Sequence, residues 1–221
     1  MRGRFITFEG GEGSGKSTQA KLLADRLRGQ GVDVILTREP GGSPGAEVIR
    51  HVLLSGAAKP FGTQAEAMLF AAARDDHVRQ LIQPAIRNGQ WVICDRFADS
   101  TRIYQGTLGN VDPRIIRSLE RISVGDTKPD LTFVLDVPAE EGIARSNRRR
   151  GRAPQDRFES ETAEFHAKLR EAYRELTERE PQRCILIDGT QMSKTIADVI
   201  WAIVSKRFNR SATPLNIARA T

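Results

Sequence analysis

Two cysteines and three histidines are scattered along the 221 residues without metal-ligand spacing, so neither a metal centre of the usual kind nor a disulfide framework is expected. Cys94 and Cys184 each sit inside an apolar, strand-like run. That position suits reduced core residues of a cytoplasmic protein. No apolar run approaches the ~18 residues of a membrane helix. Met1-Arg2-Gly3-Arg4 leads directly into a strand pattern, with no apolar segment of a signal peptide before it. There is no internal repeat. The sequence Asn-Lys-x-Asp, with which guanine-nucleotide switches read their base, is also absent, which weighs against a GTP-binding switch. Hydrophobic residues at 39% and charged residues at 28% predict a packed core, and the length suits one α/β domain rather than two.

Excess positive charge is present but confined. The formal net charge is +6, and the segment from Arg145 to Arg157 carries six arginines (145, 148, 149, 150, 152 and 157) against one acid, Asp156. Nearly all of the basicity therefore belongs to thirteen residues. A polynucleotide-binding surface would need basic and aromatic residues spread over a face. A compact arginine cluster suits the few phosphates of a small ligand, so no nucleic-acid partner is expected.

The most informative stretch is Gly10-Gly11-Glu12-Gly13-Ser14-Gly15-Lys16-Ser17-Thr18. It fits the phosphate-binding pattern G-x-x-x-x-G-K-[ST] at Gly10, Gly15, Lys16 and Ser17. Phe5 to Phe8 before it reads as a buried strand, and Gln19 to Arg28 after it reads as an amphipathic helix. A strand, a glycine loop and a helix in that order aim backbone N–H groups and a helix N-terminus at one anion. Lys16 would add a charge near the β and γ phosphates, and the Ser17 hydroxyl could ligate Mg²⁺. A nucleoside triphosphate is the expected ligand.

Four further apolar runs, Val32–Leu36, Trp91–Cys94, Leu131–Val137 and Cys184–Ile187, lack alternation, as parallel strands covered on both faces do. Helical patterns lie between them. Thr63-x-x-Glu66 resembles a capping box opening a long helix to about Asn88, with Val78, Leu81, Ile82, Ala85 and Ile86 on one stripe. Asp112-Pro113 offers an N-cap and a first-turn proline for a helix to about Val124. Further helices are expected over Gly45–Leu54, Ala139–Arg149, Glu161–Arg179 and Lys194–Phe208, and the weakly patterned tail 209–221 is expected to be loose. The predicted fold is α/β of the P-loop NTPase kind: a five-stranded parallel sheet with helices on both faces, one domain over 1–208, and an arginine-rich lid over about 145–157. Ligands of such sheets bind beyond the carboxyl ends of the strands, which gathers Glu9–Ser17, Thr37–Gly42, Asp95–Gly106 and Asp188–Gln191 on one rim.

Other constellations are chemically suggestive but individually ambiguous. Arg38, followed by Pro40-Gly41-Gly42, could fork onto a phosphate or be an exposed arginine on an ordinary turn. Asp95, at the end of the third strand, could reach a Mg²⁺ shell with Arg96 bridging two anions, or the two could form a strand-end ion pair. Phe70 and Arg74 share a helix face and could stack on a base and bond its carbonyl; a core phenylalanine beside a solvated arginine is the plainer arrangement. The arginine run, broken by Gly151 and Pro154, reads as a mobile lid or as a solvated charge run.

In combination these segments closely resemble the thymidylate kinase family over essentially the whole chain to about residue 208. Three matches carry the resemblance: Phe8-Glu9-Gly10 entering the P-loop, Thr37-Arg38-Glu39-Pro40-Gly41-Gly42, and Asp95-Arg96-x-x-x-Ser100-x-x-x-Tyr104-Gln105-Gly106. The resemblance implies a cytoplasmic homodimer that converts dTMP and ATP, with Mg²⁺, to dTDP and ADP on the route to dTTP. It implies that Lys16, Ser17 and the loop amides hold ATP and Mg²⁺, and that Glu12 approaches the sugar 3′-hydroxyl of dTMP. Arg38 and Arg96 would grip its phosphate, with Arg96 also facing the γ-phosphate. Phe70 would stack on thymine, Arg74 would bond its O4, Ser100 and Gln105 would lie nearby, and Tyr104 would crowd C2′ of the sugar. The Asp188–Gln191 turn would border adenine. Some family members carry a P-loop arginine at the position of Gly13 and others supply it from the lid. The lid arginines here resemble the second type, and Arg150 and Arg152 are the candidates. The competing readings are a kinase for another nucleoside monophosphate or a deoxynucleoside, a nucleotide-dependent switch, and a nucleic-acid-binding protein.

Overall fold

The computed structural model describes residues 2–151, 157–158 and 161–208. Two expectations, the loose tail and the middle of the lid with Arg152, lie outside the described residues. Strands β1 (Phe5–Gly10), β2 (Val34–Arg38), β3 (Trp91–Asp95), β4 (Leu131–Asp136) and β5 (Cys184–Asp188) form one sheet in the order β2-β3-β1-β4-β5. Every pairing is parallel, for example Phe8 opposite Asp95 on one side and Phe133 on the other. This is the predicted five-stranded sheet. The strands β1, β2, β3 and β5 continue past their apolar runs into polar residues, and β2 begins two residues later than its run. Because β1 is central, the loop leaving its carboxyl end occupies the middle of the rim.

Successive β1 side chains take opposite faces of the sheet. Ile6 and Phe8 join Phe133, Leu135 and Ile93 against Leu23 and Leu27 of helix α1 (Lys16–Gly29) and Ile200, Trp201 and Val204 of α9 (Ser193–Arg207). Each such fully buried large apolar side chain contributes about 1.5–3 kcal/mol relative to exposure. Phe5 faces the other way, onto Phe97, Val78, Ile82 and Ile86. Thr7 and Glu9 are on Phe5's side and are completely buried. The Thr7 hydroxyl is satisfied by that of Thr132 at 2.7 Å.

The remaining helices are α2 (Pro44–Leu54), α3 (Thr63–His77), α4 (Gln83–Arg87), α5 (Ala98–Thr101), α6 (Pro113–Ser123), α7 (Ala139–Arg150) and α8 (Ala163–Arg179). Asp112 caps α6 as expected, its Oδ1 accepting from Arg114 N at 2.7 Å. The capping box at Thr63 does not form. Gly62 takes the cap position without a side-chain bond, and Glu66 is buried with Oε1 3.3 Å from Arg157 Nε. An arginine arriving from the lid outcompetes a backbone N–H for that carboxylate. The predicted long helix to Asn88 is also divided: a wide π-type turn over Val78–Ile82 separates α3 from α4, although its apolar stripe packs as expected. The rim segment after β3 is helical, α5 running into a second π-type stretch at Arg102–Leu108. Among the described residues no helix is long and apolar enough to cross a membrane.

Candidate active site

A cavity of about 230 Å³ opens at the carboxyl end of β1, β2 and β3. It is lined by Glu12, Gly13, Gly15, Lys16 and Ser17 of the P-loop, Arg38 after β2, Phe70 and Arg74 of α3, and Asp95, Arg96, Ser100, Tyr104 and Gln105. Residues from four separated segments thus share one space. Of the remaining P-loop residues, Gly10, Gly11 and Ser14 line a smaller neighbouring cavity against β4 and α7, and Thr18 is exposed on the first turn of α1.

The P-loop is folded tightly around its own lysine. Lys16 Nζ donates to the carbonyls of Gly11 at 2.6 Å and Gly10 at 3.2 Å. Burial and the neighbouring Arg96 charge pull its pKa down to about 8, against the attraction of Glu12 and Asp95. The Ser17 hydroxyl donates to Asp95 Oδ2. Those two groups place hard oxygen donors together at the mouth of the loop, a donor set that suits Mg²⁺. On the lid side, Gly13 and Gly142 of α7 meet backbone to backbone. A Cβ on Gly13, at φ +65°, would lie 2.0 Å from Gly142 O, and one on Gly142 would lie 2.4 Å from Glu12 O.

Arg96 is the electrostatic centre. Its Nη2 donates to Glu12 Oε1 at 2.6 Å, and its Nη1 to Ser100 Oγ at 3.2 Å and Gly10 O at 3.3 Å. The guanidinium carbon stands 5.3 Å from the centre of the Tyr104 ring. Burial opposes the charge on Glu12, but Arg96, Lys16 and Arg149 outweigh it and hold the carboxyl down at about 2. Arg96 itself has φ +70°, a left-handed conformation costly for a residue with a Cβ.

The backbone immediately after Arg96 is held by Glu9, which the sequence reading named in the Phe8-Glu9-Gly10 match without giving it a role. Its Oε1 accepts from Phe97 N at 2.8 Å and Ser100 N at 3.3 Å, and its Oε2 from Ser100 Oγ at 2.7 Å and Tyr173 OH at 2.8 Å. Burial, with repulsion from Asp99, raises the Glu9 carboxyl to about 7 even so. A glutamate directly after a central apolar strand was the available signal, because such a carboxylate, once buried, has to be bought out of water by converging donors. Tyr173 of α8 carried no comparable signal.

A family model described as Thymidylate kinase matches residues 8–200. The chain belongs to the thymidylate kinase family. A thymidylate kinase from Rhodopseudomonas palustris (strain BisB18) is 60% identical over 207 residues, covering 93% of this chain and 90% of that one. One from Nitrobacter hamburgensis is 56% identical over 220 residues, covering 100% and 96%. The crystal structure of thymidylate kinase from Ehrlichia chaffeensis superposes with a TM-score of 0.73 at 32% identity, over 92% of this chain and 99% of that chain. The parallel sheet and the P-loop seen here are those of the P-loop NTPase fold.

Against the thymidylate kinase expectations, several residues sit in unforeseen surroundings. Arg38 is about half exposed and forks onto Glu47 at 3.0 and 3.1 Å. Arg74 is 3% exposed, with Nε bound to Glu39 Oε2 at 2.8 Å and Nη2 to Thr101 Oγ1 at 3.0 Å. Arg150 donates to Asn147 Oδ1 at 2.6 Å and is not among the residues lining the cavity, whereas its neighbour Arg149 is. Phe158 also lines it, with its ring 5.8 Å from Phe70 and 5.6 Å from Tyr104. The sequence reading missed both Arg149 and Phe158; the aromatic directly after the arginine run was the only hint. At the opposite end of the P-loop, Asp188 organises its turn through Thr190 and Gln191, and Arg145 Nη1 caps Gly189 O at 2.8 Å.

Proposed function

We propose that this chain, as one catalytic unit over residues 1–208, transfers the γ-phosphoryl group of ATP to the 5′-phosphate of dTMP, yielding ADP and dTDP. The observation that carries the reading is the single cavity in which a P-loop, a strained arginine and an aromatic-arginine pair converge. The acceptor is a phosphate monoester with a second pKa near ~6, so it is largely dianionic at neutral pH. It needs no general base. The protein's task is to align two crowded anions and neutralise them.

Lys16 and the loop amides take the β and γ phosphates. Ser17 and Asp95 would hold Mg²⁺, which when bound shields charge on the triphosphate. Arg96 stands between the two phosphoryl groups, with Glu12 beside the sugar. Arg38, released from its exposed contact with Glu47, takes the dTMP phosphate. Phe70 stacks on the base, Arg74 offers N–H groups to its carbonyl, Ser100 and Gln105 complete the pocket, and Tyr104 closes on the sugar. Arg149 is the lid arginine for the transferring group, in preference to Arg150.

The reading is tested by ADP production with Mg-ATP and dTMP, dUMP, dCMP, dGMP, ribothymidine monophosphate or thymidine as acceptor. Strong turnover restricted to dTMP supports it, and preference for another acceptor removes the base and sugar assignments. Phe70→Ala is expected to raise the dTMP KM about tenfold, in line with the loss of a base-aromatic stack, and to leave the ATP KM nearly unchanged. Equal effects on both substrates contradict the stacking role. Arg149→Ala is expected to lower kcat on the order of 100-fold in single-turnover measurements, with Arg150→Ala close to wild type. The reverse order reassigns the lid arginine.

A homodimer and a cytoplasmic location belong to the same proposal. Val48 and Val52 on α2 and Met68 on α3 are exposed apolar residues on two helices that pack together, and Ile122 extends the set on α6. None of the four lines the cavity, and exposed apolar residues on these packed helices suit a second copy of the chain. Cys94 and Cys184 are both buried and unpaired, as in a reducing compartment.

A further inference from the structure

The segment Thr37-Arg38-Glu39-Pro40-Gly41-Gly42 has so far been assigned one functional residue, Arg38. Its other members point inward. Glu39 is buried after β2, with Oε2 accepting from Arg74 Nε at 2.8 Å and Oε1 within 3.1 Å of His77 Nδ1. His77, wholly buried at the end of α3, has Nε2 2.8 Å from Thr37 Oγ1. A carboxylate only accepts, so His77 Nδ1 carries a proton toward Glu39; in the uncharged ring Nε2 then accepts from the Thr37 hydroxyl. Gly42 roofs this last bond. A Cβ there, at φ +87°, would lie 2.4 Å from both His77 Nε2 and Thr37 Oγ1.

We propose that His77 and Glu39, backed by Thr37, are positioning residues that lock Arg74 as a fixed donor and thereby set selectivity for a 4-oxo pyrimidine over a 4-amino pyrimidine. The proposal rests on the reading that Arg74 faces the base. One edge of its guanidinium is taken by Glu39 and Thr101, and the plane lies over Phe97 with the central carbon 5.4 Å from the ring. That leaves the Nη1 end for the ligand in the cavity Arg74 lines. A guanidinium has no acceptor. Held still, it matches a carbonyl at position 4 and opposes an amino group there, donor against donor. Left loose, it could turn aside and admit either. Selectivity therefore depends on the chain Thr37–His77–Glu39 as much as on Arg74 itself.

The test compares dTMP with 5-methyl-dCMP, which differ at position 4 and in the adjoining ring nitrogen. His77→Phe should raise the dTMP KM about tenfold and lower the dTMP to 5-methyl-dCMP ratio of kcat/KM about tenfold, with the ATP KM unchanged. His77→Asn, which keeps an N–H near the Nδ1 position, should recover most of that ratio. Thr37→Val, a volume-conserving change, should move the ratio the same way by about threefold and serves where His77→Phe fails to fold. In an Arg74→Ala background, His77→Phe should have no further effect on the ratio. If Arg74→Ala shifts the ratio but His77→Phe and Thr37→Val alter only the melting temperature or kcat, the positioning role is overturned and the Arg74 reading stands. If Arg74→Ala leaves the dTMP KM and the ratio unchanged, the base contact itself fails and the proposal with it.

Discussion

Lys16→Met is expected to leave a folded protein whose turnover falls on the order of 1000-fold, because on the proposed reading the lost group binds the β and γ phosphates and is needed most as charge grows on them during transfer. The fold should survive since Lys16 contacts mainly loop carbonyls and an apolar stem of equal length remains. Single-turnover kinetics with matched far-ultraviolet spectra check both halves. Wild-type turnover would remove the P-loop assignment. The wild-type protein makes a companion prediction. With Lys16 lowered to about 8 in the free protein, the fraction carrying its proton falls as pH rises through that value. A bound triphosphate favours the charged form, so ATP affinity should weaken steadily above about pH 8. An affinity flat to pH 10, measured by calorimetry, would contradict a direct Lys16 contact.

Arg96→Ala should damage both activity and stability. The activity loss is expected on the order of 1000-fold, since on the proposed reading the residue bridges the positions of donor and acceptor. The stability loss follows from what remains. Glu12, held ionised chiefly by Arg96 against burial, would keep only Lys16 and more distant partners, and Glu9 would lose a nearby positive charge. Breaking a buried pair in this one-sided way costs roughly 3–5 kcal/mol. For a chain of this size that corresponds to a melting temperature lower by about 10 °C. Arg96→Lys keeps the charge but cannot reach Glu12, Ser100 and Gly10 together, so it should recover stability far better than turnover. Equal recovery of both would show that only charge matters at this position.

The five strands could be read from the sequence because each has a continuous apolar run, which parallel strands covered on both faces require. Their ends could not. Glu9-Gly10, Arg38, Asp95 and Asp188 look like loop residues, yet the backbone ladder continues beneath the rim and carries them into the site. Helix α5 and the π-type stretch after it were hidden because polar residues and Gly106 mask the pattern; Ile103 and Tyr104 are helical there through packing on α8. In the site, the P-loop was legible as a motif, whereas Arg38, Phe70, Arg74 and Arg96 were each ambiguous alone and gained a role only through the family resemblance. Their immobilising partners were not legible. His77 and Tyr173 lie in ordinary amphipathic helices, and only the three-dimensional convergence on Glu39 and Glu9 distinguishes them from core residues. Arg149 and Arg150 are adjacent in the same arginine run, so only the helical phase of α7 separates the one lining the cavity from the one outside it.

The backbone contact between Gly13 and Gly142 bears on how such enzymes diverge. On the proposed reading, in which a lid arginine serves the transferring group, supplying that arginine from the P-loop instead would need Gly13→Arg. Here the first side-chain carbon would collide with a carbonyl oxygen of α7, on a backbone that also disfavours any Cβ. The substitution is therefore closed to this chain until α7 has first moved away from the loop. An arginine at this point of the loop would therefore demand a rearranged α7 as well as the substitution itself, so on the proposed reading the close approach of these two glycines leaves the task to the lid.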